Sequence, residues 1–277
     1  MSYERIAAIG AKDKGGVGLS TSLTALATIL MATGEGKFEV QLVDADGFNG
    51  TLLQRLGQRD QSGKLLHEQQ PGIGVIKANL FDEEGVRPMF RAVESDARFV
   101  VIDTPAGAVT KFDELSRNLK ARDFIDHCRQ CGRQPVVFLP FTPGVASIRG
   151  VGQAIERFGS DVPYVGLRNM VGAKDKDFRL WRPEPFTDRY GRQVGGRVRA
   201  RFDEVGGRLL DMPVAEAGPF AMAEALSLTF AESARYKGPD WESYDRLDMV
   251  KWLEAWVTEF RKIEDLLGLG DIEWKAF

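Results

Sequence analysis

A glycine-rich stretch near the start of the chain has the composition of an anion-binding loop. Residues 11–23 read AKDKGGVGLSTSL, with Gly15, Gly16 and Gly18 between an apolar run and a helical pattern. Consecutive glycines let backbone N–H groups point into a shared hollow, and the following helix adds its positive N-terminal end. Ser20 stands where a hydroxyl can bind Mg²⁺. The stretch therefore predicts a phosphate site, with tight packing alone as the alternative use of such a turn.

The loop departs at two places from the strict pattern G-x-x-x-x-G-K-[ST]. Asp13 occupies the first glycine position and Leu19 the lysine position. That lysine stabilises charge on a transferred phosphoryl group, and losing one preorganised donor lowers the rate by roughly 10²–10³. Because backbone N–H groups, the helix terminus and Ser20 remain, we expect binding to persist while hydrolysis is slow or absent. Lys14, or as a second candidate Lys12, could supply part of the missing charge.

Polar residues follow three later apolar runs of the chain. Asp46 ends VQLVDAD, Asp103 lies in FVVIDTPAG, and Asn169 lies in LRNMV. Because the carboxyl ends of parallel strands meet at one edge of a sheet, these residues are expected to gather around the glycine-rich loop. Asp44, on the first of these runs, is interpreted as a structural residue behind the site, and a catalytic role for it stays open.

Apolar runs alternate with helical patterns over the first part of the chain. The runs predict strands at 5–11, 38–46, 72–81, 98–107, 134–141 and 162–171. The helical patterns lie at 20–34, 82–96, 111–132 and 147–159. Strands that alternate with helices imply right-handed crossovers. The expected fold is therefore a doubly wound, mainly parallel α/β sheet with helices on both faces.

The later part of the chain loses this alternation. We interpret residues 1–277 as one P-loop NTPase-type domain with an irregular, partly mobile insertion at about 172–208. The remainder is predicted to be helical, with a C-terminal extension at about 240–277 that includes a long helix from about 243 to 267. The length and hydrophobic content suit one large domain with an elaborated lobe.

Together, the four motifs resemble those of the ParA/MinD-type P-loop ATPases. KGGVGLST is similar to their deviant Walker A pattern, K-G-G-x-G-K-[ST], in which the early lysine corresponds to Lys14. The resemblance implies that Lys14 reaches across a homodimer to the partner's nucleotide and that Asp46 activates the attacking water. It covers about residues 3–171 well and 209–235 weakly.

The resemblance also implies ATP or ADP and Mg²⁺ as cofactors. Ser20 and Asp103 match the residues that hold Mg²⁺, Asp103 usually through water. Asn169 matches an amide that reads adenine, and Pro213, in LDMPVAEAGPFAMAEA, lies where main chain borders the base. The implied nucleotide-binding residues are Gly15, Gly16, Val17, Gly18, Leu19, Ser20, Thr21, Asn169 and Pro213.

Proteins of this type act as dimerising switches that position or load cargo. The resemblance therefore implies a homodimeric, nucleotide-dependent switch for a plasmid, a DNA-processing complex or a secretion apparatus, working with a cargo or adaptor protein. The large chain and its divergent later half are similar to TraL-like plasmid conjugation proteins. The alternative is a non-hydrolysing scaffold or adaptor whose nucleotide pocket is vestigial. ATPase activity is accordingly expected to be weak or absent.

An arginine-rich stretch at 178–202 holds seven arginines against two acids. Arginine interleaved with aromatic residues suits phosphate contact and base stacking, and ParA-like proteins often bind DNA without sequence preference. The aromatic residues are Trp181, Phe186 and Tyr190. The candidate DNA contacts are Arg197, Arg199 and Arg201. The alternative interpretation is a solvated loop, or arginines that pair with the acidic C-terminal region.

Composition argues against several other classes of protein. A net charge of −3 does not suit a chain that binds polyanions over its whole surface. Two cysteines and a start without a secretory signal predict a reducing, cytoplasmic setting. Cys128 and Cys131 are interpreted as packing residues, with a metal or redox site as the alternative. The last helix is predicted to pack on the domain or a partner, and not on a membrane, because acids dominate its polar face.

Overall fold

The computed structural model describes residues 4–47, 50–114, 120–275 and 277. Its strands, in chain order, are β1 (Arg5–Gly10), β2 (Val40–Asp44), β3 (Val75–Lys77), β4 (Phe99–Asp103), β5 (Arg133–Phe141), β6 (Tyr164–Asn169), β7 (Phe186–Thr187), β8 (Gln193–Val194) and β9 (Arg208–Met212). Seven strands form one parallel sheet in the order β3-β2-β4-β1-β5-β6-β9. The remaining two, β7 and β8, form an antiparallel hairpin.

Helices cover both faces of this sheet. In chain order they are α1 (Leu19–Gly34), α2 (Thr51–Leu56), α3 (Arg87–Val93), α4 (Ala108–Phe112), α5 (Ala121–Gln130), α6 (Val145–Phe158), α7 (Arg197–Glu204), α8 (Ala217–Ala225), α9 (Phe230–Ser233) and α10 (Ser243–Arg261). Side chains of β1 alternate between two buried apolar clusters, one against α3 to α7 and the other against α1 and α8 to α10. The doubly wound α/β fold predicted from the sequence is therefore confirmed.

The central strand β1 lies where the strand order reverses. It has β4 on one side and β5 on the other, and ligands of open α/β sheets bind at the carboxyl ends of strands at such a point. Gly10 ends β1, and a Cβ there would lie 2.6 Å from Leu23 Cδ1 and 2.8 Å from Leu19 Cδ1. The missing side chain lets α1 pack directly on β1, which places the N-terminus of α1 at this edge.

A seventh sheet strand corrects the prediction that the later part of the chain is helical. β9 pairs in parallel with β6 at the edge of the sheet, and Met212 lies beside Asn169 in this register. Arg168 donates to both oxygens of Asp211 across the two strands, at 2.6 and 2.9 Å. The strand escaped the sequence analysis because its five residues carry no clear alternation and stand after a long irregular stretch.

Several predicted bounds are wrong. The strand predicted at 72–81 is three residues long, and the helix predicted at 82–96 is seven residues long. The helix predicted at 111–132 is two helices, α4 and α5, and its section 115–119 lies outside the described residues. The last helix ends at Arg261 rather than near 267, and the short helix α2 was not predicted.

The insertion after β6 is anchored to the domain by aromatic side chains. Trp181 is 3% exposed, and its ring centroid lies 4.2 Å from that of Phe141 and 5.2 Å from that of Phe202. Phe178 is also buried against Phe141. The expectation of an irregular stretch holds for its turns and 3₁₀ helices but is wrong for the β7-β8 hairpin and for α7. Trp181 belongs to the core and is not available to stack on bases.

The apolar stripe of α10 is part of the core, as predicted. Trp252, Trp256 and Phe260 are buried in the cluster that also holds α1, and Ile263 and Leu267 continue this packing beyond the helix. Throughout residues 4–47, 50–114, 120–275 and 277, we find no helix with the length and apolar character required to span a membrane.

The anchoring of the insertion can be tested with Trp181→Ala. Removing a buried indole from between two aromatic rings should lower the free energy of unfolding by about 3–5 kcal/mol. Urea unfolding followed by circular dichroism measures this loss. The matched control is Tyr190→Ala, because Tyr190 lies in the same insertion but is 66% exposed, and its effect should stay within about 0.5 kcal/mol. Equal effects of the two substitutions would contradict the anchoring.

Candidate functional site

The glycine-rich loop presents the N-terminus of α1 at the carboxyl edge of the sheet. Gly18 is the N-cap of α1 with φ of +90°, and Gly16 has φ of +70°, so both need the freedom of glycine. The first intrahelical bond at this end runs from the Ser22 N–H to the Gly18 carbonyl, at 3.0 Å. The preceding N–H groups of the first turn therefore have no intrahelical acceptor and could bind an anion, and this turn carries no acidic residue.

The entry to the loop is clamped onto the start of α4. The carbonyls of Lys12 and Asp13 accept from the N–H groups of Ala108 and Gly107, at 2.9 and 3.1 Å. The Asp13 carboxylate also accepts from the Thr110 N–H, at 3.1 Å, and so caps this short helix. Asp13, which departs from the strict loop pattern, therefore has a structural use. No local sequence pattern predicts this use, because Asp13 and Thr110 are 97 residues apart.

Leu19 points away from the phosphate hollow. Its side chain is 1% exposed and packs with Leu23 over Gly10, inside the cluster on this face of the sheet. The position that carries a lysine in strict loops therefore contributes to the core and offers no donor. A charged side chain at position 19 would have to leave this apolar contact to reach a ligand.

Two lysines flank the loop in different surroundings. The Lys12 Nζ donates to the Ser20 Oγ at 3.2 Å, and Lys12 lines the same cleft as Ser20. Lys14 is exposed, and within the described residues no ion pair involves it. The second lysine candidate of the sequence analysis, Lys12, is thus the one whose ammonium reaches into the loop.

Asp103 is a buried carboxylate beside Ser20. It is 1% exposed, and its Oδ1 has no hydrogen-bond partner among the described residues. Burial raises the pKa of Asp103, while the charge of Lys12 and a hydrogen bond from Ser20 oppose the rise. Mg²⁺ binds oxygen ligands such as a hydroxyl and a neighbouring carboxylate that has an oxygen without a hydrogen bond. Ser20 and Asp103 therefore fit a magnesium site.

Asp44 lies behind the cleft and organises the neighbouring backbone. Its Oδ1 accepts from the Asp46 N–H at 3.1 Å, and its Oδ2 accepts from the Leu53 N–H in the first turn of α2, at 2.9 Å. Burial, and next the charge of the paired strand residue Asp103, raise the pKa of Asp44 to about 7. Asp46 is half-buried and lines the cleft itself. This geometry supports a structural role for Asp44, whereas Asp46 is part of the cleft lining.

Two adjoining cavities follow the loop. A polar cleft of about 400 Å³ is lined by Gly15, Gly16, Gly18, Leu19, Ser20, Thr21, Asp46 and residues of neighbouring loops. A second, more apolar cavity of about 330 Å³ is lined by Asn169, Pro213, Phe220, Trp252 and Trp256, among others. Gly18 and Thr21 line both cavities, so the two are connected around the first turn of α1. Together they offer one polar compartment at the N-terminus of α1 and one more apolar compartment beside it.

Asn169 and Pro213 lie in the apolar cavity, but their polar atoms already bond within the protein. The Asn169 Nδ2 donates to the Val17 carbonyl at 3.1 Å, and its Oδ1 accepts from the Val171 N–H at 2.9 Å. The Pro213 carbonyl accepts from the Trp252 Nε1 at 3.0 Å. Asn169 thus fixes the glycine-rich loop from the side of β6, in addition to any contact with a base.

The structure brings the sequence-predicted residues together with few exceptions. The loop residues, Asp46, Asp103, Asn169 and Pro213 all lie at the two cavities or directly behind them, and Val17 is buried beneath the loop. Thr51 and Phe81 also line the polar cleft and were not predicted. They stand in stretches without a motif, so only the packing of α2 and of the segment after β3 reveals them.

The predicted DNA contacts lie on α7, away from both cavities. Arg199 pairs with Asp203 at 2.8 Å and Arg201 pairs with Glu204 at 2.6 Å, whereas Arg197 is exposed. Two of the three arginines therefore have their charge balanced within the same helix, by local acids rather than by the C-terminal region. This pairing weakens the case for a DNA-binding patch, which stays a prediction.

The two cysteines lie in different surroundings. Cys128 is buried, and burial raises the pKa of its thiol to about 12. Cys131 is half-buried, with its Sγ 3.8 Å from the Nε2 of His127. Across the part of the chain that the structure describes, no cluster of three potential metal ligands occurs among His, Cys, Asp and Glu. The packing interpretation suits Cys128.

Comparisons with known proteins find matches only among solved structures, since no family model and no curated protein matches the chain. The chain is similar to the MinC:MinD cell division protein complex of Aquifex aeolicus, with 15% identity, 92% of this chain and 96% of that chain covered, and a TM-score of 0.45. A Cyanothece McdA–ATP complex has 13% identity, 99% coverage of each chain and a TM-score of 0.49.

A putative plasmid partition protein from Borrelia burgdorferi bound to AMPPNP gives a similar result. It has 14% identity, 94% of this chain and 99% of that chain covered, and a TM-score of 0.40. These structures include proteins of the type that the motifs resemble. Identities of 13–15% with TM-scores below 0.5 describe a likeness of fold at most, so any function must be argued from the site itself.

The raised pKa of Asp44 predicts a pH-dependent stability. Between about pH 4 and 7, the unfolded chain has released the Asp44 proton that the folded chain retains, so this residue makes folding less favourable as pH rises. Asp44→Asn removes this titration. The unfolding free energy of the variant, relative to wild type, should therefore increase from pH 4.5 to 7.5 by up to about 1.4 kcal/mol per pH unit.

Urea unfolding at several pH values measures the difference in unfolding free energy between Asp44→Asn and wild type. The test is how this difference changes with pH, and its size at any single pH is not informative. The control is Asp60→Asn, whose carboxylate is exposed and has a pKa lowered by a hydrogen bond from Ser62. Its offset from wild type should stay constant over the same pH range. A flat difference for Asp44→Asn would show that Asp44 is ionised throughout.

Proposed function

We propose that this chain is a nucleotide-dependent switch of ParA/MinD type that binds ATP or ADP and hydrolyses ATP slowly. The observation that carries the proposal is the connected pair of cavities around the first turn of α1. One compartment is lined by the N-terminal turn of α1 and the Ser20 hydroxyl, with the buried Asp103 carboxylate behind it, and the other is more apolar. A nucleotide fits this pair of cavities, because its triphosphate suits the polar compartment and its aromatic base suits the apolar one.

Each residue of the site has a role in this proposal. The backbone of Gly15, Gly16 and Gly18 and the first turn of α1 bind the phosphates, and the base lies in the cavity bordered by Asn169 and Pro213. Ser20 and Asp103 hold Mg²⁺, which neutralises phosphate charge when it is bound. Asp46, which lines the cleft, accepts a hydrogen bond from the attacking water and orients it.

Slow hydrolysis follows from the position of Leu19. The transferred phosphoryl group gains charge that a preorganised donor must stabilise, and Leu19 lies in the core with no donor to offer. Lys12 returns some positive charge to the cleft through its contact with Ser20, so the expectation is reduced rather than abolished turnover.

Dimerisation and cargo belong to the same proposal. Lys14 is exposed at the mouth of the loop, as required for a lysine that reaches a nucleotide in a second copy of the chain. The proposed positioning role comes from the motifs, which resemble those of ParA/MinD-type ATPases. A plasmid, DNA-processing or secretion complex is the proposed cargo, and a TraL-like conjugation role is one form of it.

A non-hydrolysing scaffold with a vestigial pocket is the second candidate. The observations that favour it are the burial of Leu19 in the core and the engagement of both polar ends of the Asn169 amide within the protein. The unbonded Asp103 Oδ1 argues the other way, because a buried carboxylate without a ligand is costly. Nucleotide binding therefore decides between the two candidates.

Calorimetric titration with ATP and Mg²⁺ tests binding directly. We expect heat of binding and thermal stabilisation of the wild type, and a roughly tenfold weaker Mg²⁺-dependent affinity in Ser20→Ala, which lacks the proposed metal ligand. The matched control is Thr28→Val, whose hydroxyl bonds to the Thr24 carbonyl two turns further along α1. The scaffold candidate is favoured if the wild type shows neither heat nor stabilisation.

Leu19→Lys tests the slow-hydrolysis part of the proposal. A lysine at this position should raise steady-state phosphate release by roughly 10²–10³ relative to wild type, the usual value of one preorganised donor. It should also lower the melting temperature, because it removes a buried apolar side chain. Leu19→Met, which keeps an apolar side chain, is the control and should leave turnover unchanged. Equal turnover in wild type and Leu19→Lys would contradict the explanation.

A further inference from the structure

Backbone hydrogen bonds hold the main chain at Lys12 in place. It follows Ala11, whose N–H donates to the Phe138 carbonyl of β5 at 3.0 Å. Its own carbonyl accepts from the Ala108 N–H at 2.9 Å. The main chain is therefore held by β5 on one side and by α4 on the other. The side chain projects from this anchored position into the cleft, where Nζ reaches the Ser20 Oγ at 3.2 Å.

The surroundings of the Lys12 ammonium are acidic. Asp103, with its unbonded Oδ1, lies against Ser20, and Asp44 is paired with Asp103 in the adjacent strand. Asp46 lines the same cleft. Among the described residues that line this cleft, Lys12 is the sole cationic side chain. An acidic edge of this kind repels a polyphosphate unless positive charge is placed between them.

We propose that Lys12 supplies, from within the same chain, the phosphate-binding ammonium group that position 19 lacks. The inference rests on the proposed function, because it assigns a residue to the same phosphate site. The ammonium approaches from the end of β1 instead of from the first turn of α1, and it leaves Ser20 to contact a phosphate oxygen when nucleotide binds. The side chain of Leu19 then packs in the core, while the ammonium group of Lys12 binds the phosphate.

The position of Lys12 has a consequence for metal dependence. In the free protein, its ammonium occupies the space beside Ser20 and Asp103, the two residues that fit Mg²⁺. Because the Lys12 ammonium is part of the chain, its positive charge is present in the cleft whether or not metal is bound. We therefore expect measurable ADP binding in EDTA, and we expect this metal-free binding to depend on Lys12.

Calorimetry in EDTA with ADP and with adenosine separates the phosphate contact from the base contact. In Lys12→Gln, the affinity for ADP should fall about 10- to 100-fold, the value of a charged hydrogen bond, while adenosine affinity stays within about twofold. Lys12→Arg should keep most of the ADP affinity. Lys37→Gln is the matched control, because it removes the same charge from an exposed lysine beyond the C-terminal end of α1, and it should change ADP affinity less than about twofold.

The outcomes are distinguishable from failure of the proposed function. If wild type does not bind ADP at all, the proposed function and this inference are both overturned. If wild type binds ADP and Lys12→Gln binds it equally well, the inference alone is overturned. A parallel loss of ADP and adenosine affinity in Lys12→Gln would show that Lys12 only shapes the loop, which also overturns it. Melting curves of all four proteins establish that each variant is folded.

Discussion

The direct packing of α1 on β1 is the contact on which the rest of the site depends. It is made possible by the missing side chain of Gly10 and filled by Leu19 and Leu23. Because α1 lies so close to the sheet, its N-terminus opens onto the carboxyl ends of β1, β2 and β4, where the acidic residues stand. The same contact holds the side chain at position 19 inside the core. The placement of the α1 N-terminus at this edge and the burial of the side chain at position 19 have one structural origin.

Much of this arrangement could be predicted from the sequence, and the reason is physical. Asp46, Asp103 and Asn169 each follow an apolar run, and parallel strands bring such positions to one edge whatever the lengths of the connections. Asp13 and Thr51 could not be assigned in the same way. Their roles depend on how a loop lies against α4 or how α2 packs, and these contacts between distant segments leave no local pattern.

The edge strand β9 shows where pattern reading fails in the later part of the chain. Its pairing with β6 is stabilised by Arg168 and Asp211, which are 43 residues apart in sequence, so no local pattern indicates their contact. The insertion that precedes it was read as irregular because of its glycines and prolines. Its order comes from Phe178 and Trp181, whose rings pack on Phe141, and from Phe202, whose ring packs on Trp181. Such packing is set by the tertiary structure.

The hydrogen bond from Trp252 to the Pro213 carbonyl ties the C-terminal helix to the wall of the apolar cavity. Two of the five tryptophans, at 252 and 256, border this cavity, while the other three lie elsewhere in the core. Tryptophan fluorescence can therefore report on this cavity. Intrinsic emission would respond when an aromatic molecule fills the compartment and stay silent when only the polar cleft is occupied, so the two halves of the site can be observed separately without a label.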